Sequence, residues 1–401
     1  MGPTLKRYPP SACHPRSKLL APFEVAVKQT APVHSVTTMK IAIFLPNWIG
    51  DVVMATPTLH AIRHHYGPDA HLMGVMRPYV SDVLAGTDWF DTQILYDPRS
   101  RDPKLRSRSL VRRLRQQRLD AVLLLPNSLR TGILGWLSGA PKRIGYAQYG
   151  RGPLLTDKLH FQKSRGRFAP ASTMESYLAL AHLMGCVPNP PKLKLATLPQ
   201  DEAAADGVWH RLRLPPGNEV VVCHNAGGWG GRASSKAWPN TYLAALAHRI
   251  ATRHGMHVLI LCGPEERAAA ADVALRAAHP RVKSLADQPL GIGLTKACVR
   301  RSRLMISSDS GPRHFAAAFG VPVITLYGPT HKEWGNTNHA HAINLSEDVP
   351  CGPCMKRVCP LEHHRCMRDL SVDRVYAAAA KQLTIEPEFA PHWQKPGTIP
   401  A

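Results

Sequence analysis

The stretch "RLMISSDSGPRHFAAAFGVPVITLYGPT" (303–330) predicts a buried strand, a tight turn, a helix and a second buried strand. The turn is "DSGP" (309–312), and its proline suits the first position of a helix because it has no N–H and a preset φ. Polar residues therefore stand at the carboxyl end of a strand, where open parallel sheets bind their ligands.

Short apolar runs alternate with helical patterns over most of the chain, as in a parallel sheet that helices cover on both faces. The pattern pauses near 188–200 and then restarts. We therefore predict an α/β protein with two Rossmann-like, doubly wound domains, 39–190 and 191–383, that face each other across a cleft. The predicted strands are 40–46, 70–76, 92–97 and 120–126, then 219–227, 256–266, 281–287, 303–309 and 321–330. The predicted helices include 52–66 and 104–118.

The chain of 401 residues is long enough for two domains, and its composition is that of a globular protein. Residues 1–38 are Pro-rich and basic, which predicts a disordered tail, and 384–401 form a second tail. Met39 opens the first strand, so it can also be the true start. We find no membrane-spanning apolar run and no secretory signal, and we expect a cytoplasmic protein.

The chain carries a net charge of +22, and one segment holds most of the basic excess of residues 39–190. Residues 99–118 hold nine basic side chains against Asp102, with apolar residues at helical spacing. Such a basic amphipathic helix suits an anionic partner or surface, although a solvated helix face is an equal alternative.

The turn at 309–312 predicts an anion site. Gly311 is the expected helix cap, and the free N–H groups of the first turn then point toward a ligand such as a phosphate. We expect Ser310 and His314 to reach phosphate oxygens and Asp309 to accept hydrogen bonds from neutral hydroxyls. Simple helix capping by Asp309 and Ser310 is the alternative.

Two further strand ends in the second half carry polar clusters. The loop "HNAGGWGGRASSKAWP" (224–239) allows close backbone approach through its glycines, and Lys236 supplies a charge that can bind phosphate. A merely flexible loop is the alternative. "LCGPEER" (261–267) offers Glu265 or Glu266 for a ribose, and we prefer Glu266.

In the first half, "LPNWIGDVVMATP" (45–57) places Asn47, Gly50 and Asp51 at a strand-to-helix turn. We expect the helix dipole to keep the Asp51 carboxylate ionised at neutral pH. Facing the cleft, an ionised carboxylate can act as a general base on a hydroxyl. A helix-capping aspartate is the alternative.

Together these motifs resemble glycosyltransferase family 9, whose members are ADP-heptose:lipopolysaccharide heptosyltransferases of GT-B architecture. The resemblance runs from Met39 to about Leu383, and the Asn-Trp-Ile-Gly-Asp turn is most similar to the heptosyltransferase II branch. It implies an acceptor-binding first domain, an ADP-sugar-binding second domain and a transferase of lipopolysaccharide core biosynthesis. Heptosyltransferase I, which uses a Kdo acceptor, and other ADP-sugar transferases are the alternatives.

The resemblance also implies residue roles. Asp51 matches the catalytic base and Lys236 the lysine that neutralises the leaving diphosphate. Asp309 matches the residue that holds heptose hydroxyls, with Ser310, Gly311 and His314 on the phosphate side and Glu266 on the nucleotide. The transfer is expected to invert the anomeric centre and to need no metal or other cofactor, in agreement with the absence of an Asp-x-Asp motif.

The implied partners are ADP-heptose and an anionic lipopolysaccharide precursor at the inner face of the cytoplasmic membrane, so we expect a peripheral membrane enzyme. Asn47, Arg130, Arg143 and Arg151 are the candidate acceptor-binding residues; solvated or structural arginines are an equal alternative for the last three.

The stretch "PCGPCMKRVCPLEHHRC" (350–366) lies within an expected Cys-rich loop, 350–367. Its spacing suits either a structural zinc or reduced thiols, and transfer is not expected to depend on it. The zinc candidates are Cys351, Cys354, Cys359 and Cys366.

The remote alternative is a protein that binds nucleic acid through its basic charge. Its basic residues show no interleaved aromatics for base stacking, so we expect no nucleic-acid partner.

Overall fold

The computed structural model describes residues 38–384 apart from 165–166, 188–190, 226–227, 230–231 and 234. Nearly all of the two predicted tails therefore lies outside the described residues, and the disordered tail stays a prediction. Within the described part, no helix combines the length and the apolar character that crossing a bilayer requires.

The first half of the chain folds around a six-stranded parallel sheet in the order β3-β2-β1-β4-β5-β6. Its central strand β1 is buried on both faces, since Ile41, Ala42 and Ile43 are fully covered. The strands are β1 (Lys40–Phe44), β2 (His71–Met76), β3 (Thr92–Leu95), β4 (Ala121–Leu124), β5 (Lys142–Tyr146) and β6 (Asp157–Leu159). A two-stranded antiparallel ribbon, β7 (Lys163–Ser164) and β8 (Arg167–Phe168), follows.

Six α-helices of the first half connect these strands or pack beside them. They are α1 (Ile49–Met54), α2 (Thr56–Tyr66), α3 (Pro78–Leu84), α4 (Ser107–Gln117), α5 (Leu129–Leu137) and α6 (Thr173–Leu183). Leu110 and Leu114 of α4 are buried in the core, which leaves the arginines of that helix outward. We call this half lobe one.

The second half, lobe two, repeats the strand order around β9, which pairs with β12 and β14. Its parallel strands are β9 (Val220–His224), β12 (His257–Leu261), β13 (Val282–Ser284), β14 (Leu304–Ser308), β15 (Val323–Tyr327) and β16 (Ala342–Ser346), with the ribbon β10 (Gly228–Trp229) and β11 (Arg232–Ala233) after β9. The helices are α7 (Pro199–Leu212), α8 (Asn240–His254), α9 (Arg267–Ala277), α10 (Ile292–Arg300), α11 (Arg313–Ala318), α12 (Arg365–Arg368) and α13 (Val372–Thr384). Five one-turn 3-10 helices complete the described elements: Pro103–Leu105, Gly152–Leu154, Gly217–Glu219, Pro264–Glu266 and Lys332–Gly335.

Two parallel six-stranded sheets flanked by helices confirm the predicted fold class. Two details were wrong. The predicted helix 52–66 is two helices, because the chain turns at Ala55 and Pro57 begins a new one in α2. Strands β5, β6 and β16 were missed, since their partly exposed, mixed sequences lack the long apolar run of a central strand.

The two lobes are joined by direct contacts. Lys296 of α10 is buried and donates to two carbonyl oxygens at the end of α3. The distances are 3.3 Å to Val83 O and 3.1 Å to Ala85 O. A lysine suits this position because a helix C-terminus attracts positive charge. Ser172, before α6, donates to Asn336 O at 2.7 Å on the other side.

Candidate active site

The lobes meet most closely at two glycines. A Cβ atom built on Gly50 of α1 lies 2.9 Å from His314 Cδ2, and one built on Gly311 lies 2.9 Å from Ile49 Cβ. Because real Cβ atoms do not approach other atoms this closely, both positions accept only glycine unless neighbouring atoms move. The turn after β1 and the turn after β14 are thus pressed together, and the predicted site residues of both lobes lie around this contact.

Asp51 lies in the first turn of α1, beside the contact. Burial raises the pKa of its carboxyl group to about 6; the positive charge of Lys236 lowers it and the negative charge of Asp309 raises it. Burial is therefore the largest influence on this carboxyl group, and it acts against the ionisation that the sequence analysis attributed to the helix dipole. At pH 7 a carboxyl of this pKa is still about 90% ionised, which suits a general base.

Tyr177 of α6 is a neighbour of Asp51 that the sequence did not indicate. Its ring is 7% exposed. Burial raises the pKa of its hydroxyl well above the ordinary value, and the Asp51 charge adds to the shift. Tyr177 therefore stays protonated beside Asp51. Its place directly before the apolar residues 178–181 gave no signal, because tyrosines beside such runs are usually part of the core.

Across the contact, Asp309 is the centre of a charged cluster. Its carboxylate accepts from Lys236 Nζ at 2.8 Å, from Arg313 Nε at 3.2 Å and from Thr330 Oγ1 at 2.7 Å. Burial alone raises the pKa of this carboxyl, but the two cations and the hydrogen bonds outweigh it and hold the pKa far below its ordinary range. Asp309 is therefore a permanent anion that fixes Lys236 opposite Asp51.

Ser310 belongs to a second polar chain. Its Oγ lies 3.0 Å from His224 Nδ1, and His224 Nε2 lies 3.3 Å from Glu266 Oε2. Glu266 also accepts from the backbone N–H of Gly263 at 2.8 Å. With the proton on Nε2, His224 donates to Glu266 and accepts from Ser310. His224 ends β9 and was missed as a site residue, although its position at a strand end was the available signal.

The choice between Glu265 and Glu266 now has a structural basis. Glu265 points to solvent, whereas the side chain of Glu266 is 19% exposed and held by His224. A fixed carboxylate orients a ligand hydroxyl better than a mobile one, so the preference for Glu266 gains support.

The phosphate turn differs from the prediction in two respects. The residue before α11 is Pro312, not Gly311, and the His314 N–H donates to Gly311 O at 3.1 Å, so this N–H is not free. The His314 ring is 4% exposed, and burial, with help from Arg313 and Lys236, lowers its pKa well below 6.5. A neutral ring packed against Gly50 forms part of the contact between the lobes.

A cavity of about 320 Å³ opens beside Asn47, at the carboxyl ends of the strands of lobe one. Arg130 also lines it, so two predicted acceptor-binding residues are brought together. Arg77, which the sequence analysis missed, donates to Asn47 Oδ1 at 3.2 Å and pairs with Asp97. Its position directly after β2 was the available signal. The other lining residues are Phe44, Leu45, Val75, Met76, Tyr96, Pro98, Pro126, Ser128 and Thr131.

Arg151 and Arg143 both donate to backbone carbonyl oxygens of lobe one. Arg151 is fully buried and donates to Tyr146 O at 2.8 Å and to Asn127 Oδ1 at 2.9 Å; burial lowers the pKa of its guanidinium to about 10. Arg143 lies near the amino end of β5 and donates to Leu154 O at 2.8 Å. Each guanidinium holds a loop of lobe one in place, which supports the alternative of structural arginines, and acceptor binding by these two residues stays a prediction.

The four candidate zinc ligands lie near one another without forming a metal site. Burial raises the pKa of the Cys366 thiol to about 11, and the thiols of Cys354, Cys359 and Cys351 add to the shift. Over the ranges that the structure describes, no three His, Cys, Asp or Glu side chains are grouped closely enough to hold a metal ion. The zinc site stays a prediction without geometric support.

Part of the Gly-rich loop after β9 lies outside the described residues, at 226–227, 230–231 and 234. The ribbon β10–β11 lies between these gaps, and from Ser235 onward the chain is described without a gap. Ser235 N–H donates to Arg357 O at 3.1 Å, and Trp238, which precedes α8, is buried and donates to Leu370 O at 3.0 Å. The loop is thus tied to the rest of lobe two on the side that carries Lys236.

Comparison with known sequences gives consistent matches. Lipooligosaccharide heptosyltransferase 2 of Campylobacter jejuni is 25% identical over 351 residues, which cover 86% of this chain and 98% of that protein. Lipopolysaccharide heptosyltransferase 2 of Escherichia coli is 24% identical over 319 residues, which cover 74% of this chain and 84% of that protein.

Two solved structures share the fold. The ADP-heptose lipopolysaccharide heptosyltransferase II of Escherichia coli aligns with a TM-score of 0.68 at 20% identity, over 86% of this chain and 98% of that one. A glycosyltransferase family 9 protein of Veillonella parvula aligns with a TM-score of 0.71 at 22% identity, over 86% and 97%. The sequence model of glycosyltransferase family 9 (heptosyltransferase) matches residues 107–365, which span the later part of lobe one and most of lobe two. The chain therefore belongs to glycosyltransferase family 9, the heptosyltransferase family.

Proposed function

We propose that this enzyme transfers heptose from ADP-L-glycero-D-manno-heptose to the inner-core heptose of a lipopolysaccharide precursor, as a heptosyltransferase II. The two relatives named above, both called heptosyltransferase 2, support this choice of branch. The observation that carries the proposal is the arrangement at the lobe contact. Asp51 of lobe one lies close enough to Lys236 and Asp309 of lobe two for each charge to change its pKa.

In the proposed reaction, Asp51 takes the proton of the acceptor hydroxyl. The hydroxyl oxygen forms a bond to the anomeric carbon while the bond from that carbon to the diphosphate oxygen breaks, and its electron pair leaves with ADP. A single displacement from the face opposite the leaving group inverts the anomeric centre. The pKa of about 6 leaves Asp51 ionised at neutral pH and still basic enough to receive the proton.

Lys236 is the proposed partner of the leaving diphosphate. Its side chain is 25% exposed and its Nζ is held by Asp309, and we place the diphosphate at the exposed part of this side chain. A preorganised cation stabilises the charge that develops on the diphosphate as the bond breaks. Since the sequence also lacks an Asp-x-Asp motif, we propose that Lys236 replaces a divalent metal in this reaction.

The remaining donor contacts follow from the two polar chains. Glu266, held by His224, is proposed to accept from the ribose hydroxyls, and Ser310 to face the diphosphate. Asp309 Oδ2 already accepts two hydrogen bonds, but Oδ1 accepts only that of Arg313 among the described contacts. Because a carboxylate oxygen can accept two donors, Oδ1 can also hold a heptose hydroxyl.

A transfer assay with matched acceptors tests the proposal. Purified enzyme is incubated with ADP-heptose and an acceptor that ends in either heptose or Kdo, with and without EDTA. We expect one heptose to be added only to the heptose-terminated acceptor, with inverted configuration and unchanged rate in EDTA. Transfer to the Kdo acceptor alone would instead identify heptosyltransferase I, and a rate that requires a divalent cation would contradict the role of Lys236.

A binding measurement covers the case in which neither acceptor reacts. ADP is expected to raise the melting temperature of the protein, because it binds the folded state only. Stabilisation by ADP without transfer of heptose would point to another ADP-sugar transferase. Stabilisation by nucleic acid but not by ADP would contradict the proposal that the donor is ADP-heptose.

A further inference from the structure

We propose that helices α4 and α5 form a docking surface for an anionic phospholipid bilayer, which we call the α4–α5 surface. The proposal rests on the proposed function, because a lipopolysaccharide precursor is anchored in a membrane. It goes beyond the basic helix that the sequence predicted, since the structure adds a second, apolar helix beside it.

A groove of about 920 Å³ runs between the two helices. Its floor is aliphatic and its rim carries arginines, and no acidic side chain is among its lining residues. This pairing of apolar surface with unopposed positive charge is typical of proteins that lie on anionic membranes. The lining residues are Ser107, Arg108, Val111, Arg112, Arg115, Gln116, Leu129, Arg130, Ile133, Leu134 and Leu137.

Helix α5 is apolar on two faces. Leu134 and the glycines beside it pack inward, as expected for a helix that covers a sheet. On the outer face, Leu129, Ile133 and Trp136 recur every three or four residues and are 46%, 41% and 55% exposed. A ridge of large apolar side chains on the outer face is unusual for a helix in water and favours a partner that covers it.

Helix α4 supplies the charge. Arg108, Arg112 and Arg115 follow helical spacing and are all exposed. Within the part of the chain that the structure describes, neither these three arginines nor Arg130 form a salt bridge. Four arginines without carboxylate partners create the complement of a surface of lipid phosphates.

The α4–α5 surface is continuous with the candidate site. Arg130 lines both the groove and the cavity beside Asn47. An acceptor whose lipid part stays in the bilayer under α5 can therefore extend its sugar head past Arg130 toward Asn47 and Asp51.

The chemistry favours a bilayer over nucleic acid. Single-stranded nucleic acid is bound by several stacked aromatic rings along a basic groove, whereas this surface has one tryptophan and an aliphatic ridge. Tryptophan with arginine is the combination that membrane interfaces attract.

Vesicle sedimentation of the full chain tests the proposal. The probes are vesicles of phosphatidylcholine alone and vesicles enriched in phosphatidylglycerol. We expect the wild type to sediment only with the anionic vesicles, and the apolar variant I133S/W136S and the charge variant R108S/R112S each to lose about tenfold in vesicle affinity. Arg130 is left unchanged because it lines the acceptor cavity.

Two controls separate docking from folding and catalysis. Leu275→Ser and Arg253→Ser change exposed residues of the same types on α9 and α8 and should bind vesicles as the wild type does. We call I133S/W136S and R108S/R112S the docking variants. In both, transfer to a deacylated, water-soluble acceptor should be unchanged, while transfer to an acceptor embedded in vesicles should fall. Vesicle binding itself requires no transfer, so it fails or succeeds independently of the proposed function.

Three results would overturn the proposal. The docking variants could bind anionic vesicles as tightly as the wild type. The wild type could bind neutral and anionic vesicles equally, or neither. Finally, the wild type could form a dimer in solution that I133S/W136S dissociates, without binding vesicles, which would assign the ridge to self-association.

Discussion

At the scale of single residues, the site is built from side chains that hold one another in place. Asp309 fixes Lys236, and His224 fixes Glu266, so each group proposed to touch the donor has a partner behind it. Such support is what keeps a binding group within a few tenths of an ångström of its working position.

His224 gives the residue-scale prediction. His224→Ala removes one contact of the Glu266 carboxylate, which keeps its bond from the Gly263 N–H, and so loosens this side chain while Lys236 and Asp51 are unchanged. We expect the KM for ADP-heptose to rise about tenfold, with kcat changed much less, because the loss falls on donor binding. His224→Gln should recover part of the affinity, since an amide can donate to Glu266.

Steady-state kinetics with the donor varied provide the measurement. His248→Ala is the matched control, since this histidine lies on α8 and contacts Ala277 O rather than the site. An equal rise in KM in the control, or a fall in kcat alone in His224→Ala, would contradict the positioning role.

At this scale the sequence indicated residues that the structure brings together, but it did not indicate their protonation states or their partners. The types of Asp51, Lys236 and Asp309, each after a strand, were enough to mark them. The pKa of Asp51 was not predictable, because it depends on burial in the folded protein and on the charges of Lys236 and Asp309 in the other lobe. The burial of Arg151 was not predictable either, because a buried arginine and a solvated one look the same in the sequence.

At the scale of elements, the contact between α1 and α11 sets the geometry of the site. Gly50 and Gly311 allow the two turns to touch, and the sequence marked both glycines as turn residues without showing that they face each other. The reason is that close approach across a cleft is a property of the packed lobes and not of either turn alone.

Gly50→Ala provides the element-scale prediction. The added methyl group meets the His314 ring at 2.9 Å, so the lobes must shift apart or the ring must move. We expect a loss of about 1–3 kcal/mol in the free energy of unfolding. We also expect a fall of at least about tenfold in kcat, because an ångström of misplacement is costly to the reacting geometry.

Gly152→Ala is the matched control, since a Cβ there meets only Ala147 Cβ at an ordinary 3.5 Å. Chemical denaturation and transfer rates of both variants are compared. A Gly50→Ala protein with the activity and stability of the control would show that the contact does not constrain the site.

At the scale of the whole molecule, two similar sheets bring together chemistry that neither holds alone. The alternation of strands and helices predicted both sheets and their ligand-binding edges, because central strands such as β1 and β9 are continuous apolar runs. Edge strands such as β6 and β16 are partly exposed and escaped the same reasoning. The relation between the lobes had to come from the structure.

The pH dependence of transfer tests the central claim most directly, that Asp51 is the base between the lobes. Because only the ionised carboxylate can accept a proton, kcat/KM for the acceptor should fall as the pH drops through about 6 and be level above it. Asp51→Asn should lower kcat by about 10²–10⁴-fold and remove this limb, while ADP binding stays intact. An Asp51→Asn enzyme that keeps wild-type turnover, or that keeps the acid limb near pH 6, would contradict the account.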